Sequence, residues 1–160
     1  LSVSDFDPRR LVQALIENRR SRPGVRTSPV QLDIQETCPT EATLDQLRAR
    51  MAIEYALNNA DAAAQGEPIR LRLRGGPQRW IIEVAIDQPP PASVTSHQLE
   101  PHAFERLCGS VVERRGMDLA IAARISEMFG GTARLDAVEG RGTAIILDWP
   151  SRIPDGSSTR

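Results

Sequence analysis

Asn59 stands late in a long helical pattern, with Tyr55 four residues before it and Ala62 three after it on the same helix face. Its amide oxygen is the kind of group that binds a hard cation or accepts a hydrogen bond. Asp87 ends an alternating run, Trp80 to Ile86, and is followed by Gln88-Pro89-Pro90-Pro91. A carboxylate there can accept a hydrogen bond from a ligand, and it is equally an ordinary turn residue. Arg114-Arg115-Gly116-Met117-Asp118 puts two guanidinium groups and a glycine where a helix opens. Arginines and free N–H groups at a helix start suit an anion. Asp118 suits the helix dipole and would repel a phosphate. Gly140-Arg141-Gly142-Thr143 marks a turn into a last strand, where Thr143 offers a hydroxyl or simply a β-branched start. Each of these residues also has a purely structural reading. Asn59 is then a polar residue late in a helix, and the two arginines are solvated charge.

The elements that position these residues follow from periodicity. Asp5-Phe6-Asp7-Pro8 reads as an N-cap with Pro near the first helical position. Leu11, Val12, Leu15 and Ile16 continue as a helix that ends before Pro23-Gly24. Val30 to Gln35 alternates as a strand with one wet face. Thr40, Thr43 or Asp45 is placed to cap a long helix to about Ala63, whose stripe is Ala49, Ile53, Ala56, Leu57 and Ala60. Ile69 to Leu73 and Trp80 to Ile86 form a hairpin around Gly75-Gly76-Pro77-Gln78. From Asp87 to about Arg115 no pattern holds, and a loop of that length in a small domain is functional or mobile. Helix Gly116–Phe129 follows, with Met117, Ile121, Ile125 and Met128 on one face, then a Gly130-Gly131 stop. Strands Thr132–Val138 and Thr143–Trp149 finish the core, and the tail 151–160 is a flexible, polar end.

This order predicts an α+β fold, a two-layer α/β sandwich with a mixed sheet of about five strands and about three main helices on one face. A chain of 160 residues that is 40% hydrophobic can bury one sizeable core. Twenty basic and 21 acidic residues nearly cancel, which argues against an electrostatic grip on nucleic acid or membrane. No apolar run approaches the roughly 20 residues that span a bilayer. Cys38 and Cys108 lack metal spacing and read as reduced, partly buried thiols.

From Phe6 to Pro150 the order and motifs resemble the catalytic, ATP-binding domain of bacterial sensor histidine kinases, the Bergerat or GHKL fold. Leu57-Asn58-Asn59-Ala60 resembles the N box, in which two Asn and a Lys recur at i, i+4 and i+7. The resemblance gives Asn59 the Mg²⁺-reaching amide, while Tyr55 and Ala62 replace the first Asn and the Lys. Asp87 matches the Asp of Asp-x-Gly-x-Gly, which accepts from the adenine amino group, but both glycines are proline, Pro89 and Pro91. Proline cannot supply close backbone approach or positive φ. Ala103-Phe104-Glu105-Arg106-Leu107 resembles the F box of the lid, here about 87–115. Of the Gly-x-Gly-x-Gly-Leu pattern only Gly116 remains, with Arg114 and Arg115 as phosphate ligands and Asp118 against them. Gly142-Thr143 matches the last box, with the Thr hydroxyl near adenine.

The resemblance implies a domain over 1–150 that binds ATP with Mg²⁺ weakly or not at all, through Asn59, Asp87, Gly116, Thr143, Arg114 and Arg115. It implies phosphoryl transfer to a His on a preceding dimerisation domain, a receiver-domain partner in a response regulator, and a cytoplasmic location with the parent membrane-bound or not. No catalytic residue is assigned within the chain, because His97 and His102 fall in the lid-like loop without a phosphoacceptor setting. Two other functions stay open. One is a pseudokinase scaffold that docks a response regulator without ATP. The other is an anionic-ligand sensor, because Arg115-Gly116-Met117-Asp118 is similar to an Arg-x-x-Asp motif that binds cyclic dinucleotides.

Overall fold

The computed structural model describes residues 1–24, 27–87, 97–98, 113–138 and 142–153. Asp7 accepts from the Arg9 backbone N–H at 2.9 Å, and Pro8 takes the first helical position, so α1 (Pro8–Arg20) starts as its sequence predicts. Leu11, Val12, Leu15 and Ile16 are its buried face. Two short strands frame that helix, β1 (Val3–Phe6) and β3 (Ala42–Asp45), paired antiparallel. Periodicity did not reveal this ribbon, because four residues are too few to show alternation.

The main sheet takes β2 (Val30–Ile34), β4 (Ile69–Gly76), β5 (Arg79–Ile86), β6 (His97–Gln98), β7 (Thr132–Val138) and β8 (Gly142–Pro150). Their spatial order is β2-β4-β5-β8-β7-β6, with β2 parallel to β4 and the other pairs antiparallel. The sheet is therefore mixed, with five main strands and the two-residue β6 added at one edge. β6 lies inside the stretch that the sequence leaves without pattern. The hairpin between β4 and β5 closes on Pro77-Gln78, with Gly75 and Gly76 still paired to Trp80 and Arg79.

Two further helices lie with α1 on one face of the sheet, α2 (Gln46–Ala64) and α3 (Glu113–Met128). The predicted stripe of α2, Ala49, Ile53, Ala56, Leu57 and Ala60, is buried in full, and Ala52 joins it, so small residues dominate the buried face. α3 answers with Ala122, Ala123 and Ser126, so the two helices approach closely. That close packing corrects the predicted face of α3. Of the predicted residues Ile125 is buried and Ile121 packs partly buried against the core, whereas Met128 is exposed; the rest of the buried face is Leu119, Ala122, Ala123 and Ser126, with Phe129 just past the helix end. Small residues carry the contact here, and a search for large apolar ones at helical spacing misses it.

The C-terminus of α3 is a Schellman stop. Gly130 has φ of 75°, its N–H donates to Glu127 O at 2.9 Å, and the Gly131 N–H reaches Ser126 O at 2.8 Å. Gly131 cannot carry a side chain, since a Cβ would lie 2.3 Å from Asp148 O. Below this stop sit Phe129, Trp149 and Trp80, edge to face at 5.1 and 5.3 Å. The Trp149 indole N–H donates to Ser126 Oγ at 2.8 Å, and that hydroxyl donates to Ala122 O at 2.8 Å. Replacing Ser126→Ala strands the buried indole N–H and is expected to cost about 1–3 kcal/mol, read by urea denaturation.

Asp45 caps α2. Its carboxylate accepts from Ser2 N at 2.8 Å, from Arg48 N at 3.1 Å and from the Arg48 guanidinium. Burial pushes its pKa upward, but these donors outweigh burial and hold it below the ordinary 3.8. A depressed carboxylate stabilises the fold fully above its unfolded value and stops doing so as pH falls through the folded value. Asp45→Asn keeps a capping oxygen and loses the charge. It should be about 1 kcal/mol less stable at neutral pH. That gap should close in urea titrations run below pH 3.8.

Candidate functional site

The segments that carry the predicted residues meet at one end of the sheet because of chain direction. β5 ends at Ile86, and Asp87 follows it. β8 runs antiparallel, so its first residues lie beside that end, with Thr143 opposite Ile86. β4 starts there too, with Arg70 opposite Ala85. α2 ends at Ala64, and β4 begins five residues later at Ile69, so the last turns of α2, with Asn59, cover the same end. α3 leads through its Gly-Gly stop to Thr132, which pairs with Asp148 at the far end. Its N-terminal turns, with Arg114, Arg115 and Gly116, therefore point back toward Thr143. The helix was expected to open at Gly116. It is already helical at Glu113, so Gly116 lies inside the first turns, where only its backbone position and those of Arg114 and Arg115 are described. Pro89, Pro91, His102, Phe104 and Cys108 lie outside the described residues.

The rotation of α2 decides which side chains face this end. Arg19 of α1 is buried and donates to Asn58 Oδ1 at 2.8 Å while ion-pairing with Asp61. The other Asp61 oxygen accepts from Ser28 N at 2.9 Å, and Arg22 pairs with Glu54 at 2.5 Å. Glu54, Asn58 and Asp61 thus form the flank of α2 that α1 grips. Tyr55 and Asn59 fall on the other flank, one residue on in each case. Both are half-buried, and Tyr55 packs against the core. The sequence showed Asn58 beside Asn59 without showing which of them α1 would claim. The signal was there in Glu54 and Asp61, which share the Asn58 flank.

Asp87 follows the outward side of β5. Ile82, Val84 and Ile86 point to the helix layer, so the odd-numbered neighbours point away from it. The outer face holds a small apolar cluster of Ala85, Ala144 and Ile146 with Ile81. Around it run ion pairs: Arg72 with Asp33 at 3.1 Å, Arg74 with Glu83 at 3.8 Å, and Arg79 with Asp148 at 2.5 Å. Asp87 is one more member of this series, paired with Arg70 at 3.0 Å and 77% exposed. The inward position opposite Thr143 belongs to Ile86, which is buried.

Gly142 holds this corner together. Its φ is 99°, and a Cβ there would sit 2.0 Å from Ile86 O and 2.7 Å from the Asp87 Cα. Only glycine permits that approach. Asp118 is half-buried near the start of α3, and burial raises its carboxyl above the ordinary 3.8. Among the described residues no group of three His, Cys, Asp or Glu side chains is arranged to hold a metal. A separate groove of about 450 Å³, lined by Ser2, Leu11, Leu15, Asp45 and Arg48, lies at the opposite end of α2.

Known proteins identify this arrangement. Residues 44–153 match the family model of histidine kinase-, DNA gyrase B- and HSP90-like ATPases, and the chain belongs to that family. Within it, the fold is that of histidine kinase catalytic domains. The nucleotide-free catalytic domain of histidine kinase ThkA superposes with a TM-score of 0.74 at 14% identity, over 96% of this chain and 99% of that one. The ATP-binding domain of PrrB from Mycobacterium tuberculosis gives 0.67 at 20% identity, over 94% and 98%. Full-length ShkA in complex with AMPPNP gives 0.74 at 21% identity, over 94% of this chain and 31% of that one. No curated protein sequence matches the chain.

Gly142→Ala should lower stability by at least ~2 kcal/mol, because positive φ and a backbone collision act together. Urea denaturation checks the loss. Amide exchange should show it centred on Ile86, Asp87 and Thr143 rather than on the Trp149 end.

Proposed function

We propose that this chain is the ATP-binding catalytic domain of a two-component sensor histidine kinase. It would bind ATP with Mg²⁺ and present the γ-phosphoryl group to a His on a preceding dimerisation domain. A response-regulator receiver domain then takes the phosphoryl group from that His. The domain spans about residues 1–150 in this reading. The observation that carries it is the family match together with the meeting of four segments at one sheet end: the last turns of α2, the end of β5, the start of β8 and the start of α3.

The chemistry of the donor set fits a weakly held metal. Asn59 supplies one neutral amide oxygen, and no cluster of carboxylates supports it among the described residues. A Mg²⁺ ion bound with so few protein ligands keeps waters and phosphate oxygens. When bound, it neutralises charge on the transferring phosphoryl group. Thr143 is the hydroxyl beside the base in this reading, and Asp87 the acceptor for its amino group. Gly116, Arg114 and Arg115 at the start of α3 would face the phosphates. Asp118 opposes them, which lowers the expected affinity.

Calorimetry with Mg²⁺-ATP tests this. Binding is expected, and Asn59→Ala should weaken it about tenfold, or 1.4 kcal/mol. No heat up to millimolar nucleotide would overturn the ATP reading and leave a scaffold that docks its partners without nucleotide. Incubation with ATP should leave His97 and His102 unphosphorylated, and an acid-labile phosphate on either would contradict the assignment of the acceptor to another domain.

A further inference from the structure

Asp87 has two jobs in competition, and this inference rests on the nucleotide reading above. The carboxylate that would accept from the adenine amino group is held at 3.0 Å by Arg70 on the face away from the helices. Arg70 alternates with Ile69 and Leu71, both fully buried, so its side chain belongs to the outer face. Its opposite residue in the register is Ala85, two before Asp87 and part of the outer apolar cluster. We propose that Arg70 sets the nucleotide affinity of the site by latching Asp87 on the outer face.

The latch is a two-state equilibrium. In one state Asp87 pairs with Arg70; in the other it turns toward Thr143 and can read a base. A ligand that binds only the second state has its apparent affinity reduced by the fraction of molecules in that state. Asp87 lies just past the last paired residue of β5, at a bend, so turning it breaks no strand pairing. Both partners are exposed, 52% for Arg70 and 77% for Asp87. A pair of that kind biases an equilibrium by up to about fivefold, and salt weakens it. The neighbouring Arg72–Asp33 pair has the same chemistry and face but touches no proposed ligand group, which makes it the control.

The test is calorimetry of Mg²⁺-ATP and Mg²⁺-GTP with the wild-type chain, Arg70→Ala, Arg70→Lys and Arg72→Ala. Arg70→Ala should bind ATP about threefold more tightly at low salt, with the gain shrinking as salt rises. GTP binding should not gain, because guanine offers a carbonyl where adenine offers an amino group. Arg70→Lys should return toward wild type, and Arg72→Ala should match it. ATP binding by the wild type that Arg70→Ala leaves unchanged or weaker overturns the latch and leaves the nucleotide reading standing. Silence toward ATP in every variant overturns both.

Discussion

The antiparallel seam between β5 and β8 is the constraint from which the rest of the structure follows. It runs in unbroken register from Arg79 opposite Pro150 to Ile86 opposite Thr143. One end of it places Trp80 opposite Trp149, and the indoles, with Phe129, form an edge-to-face aromatic cluster. The other end places Asp87 beside Gly142-Thr143. A register slip of one residue would move every core side chain to the wrong face. The seam therefore ties the packing end to the proposed ligand end, and neither can shift alone.

α2 and α3 are held by different kinds of contact. α3 is held at its C-terminus, where Ser126 takes the Trp149 indole N–H and the Gly130-Gly131 stop fits against Asp148 and Trp149. α2 is held by small residues along its length and by the Arg19 network on one flank. A buried arginine with a carboxylate and an amide costs much to desolvate, so such a group is weak evidence for stability by itself. Its value here is directional. It fixes which face of α2 meets α1, and Tyr55 and Asn59 are left for the other side.

Much of the fold was legible in the sequence because alternation and helical spacing are set by burial. Leu11 to Ile16, the Ala49 to Ala60 stripe, Trp80 to Ile86 and the two last strands all appear where periodicity puts them. The β1–β3 ribbon escaped because it is too short for a period, and the α3 face because alanine and serine carry it. The motifs brought attention to the end of the sheet where β5 ends and β8 begins. They could not show the Arg70–Asp87 pair, since long-range ion pairs leave no local trace. One part of that pair was nevertheless readable: in Ile82-Glu83-Val84-Ala85-Ile86-Asp87, the branched residues claim the even positions, which sends Asp87 outward.

In the proposed latch, that parity is what lets an ATPase fold keep its acidic residue and weaken its use. A strand offers alternate faces at a fixed period of two, so the residue just past its end inherits a side from the residues before it. With Ile86 filling the inward place opposite Thr143, the core gains an apolar side chain at the mouth of the proposed site. The carboxylate one position later then pairs with Arg70 on β4. Recovering the inward role needs release from Arg70, and a turn of the backbone at Asp87 is limited by its close packing against Gly142. Affinity in such a site is governed less by which residues are present than by which face of the sheet holds them.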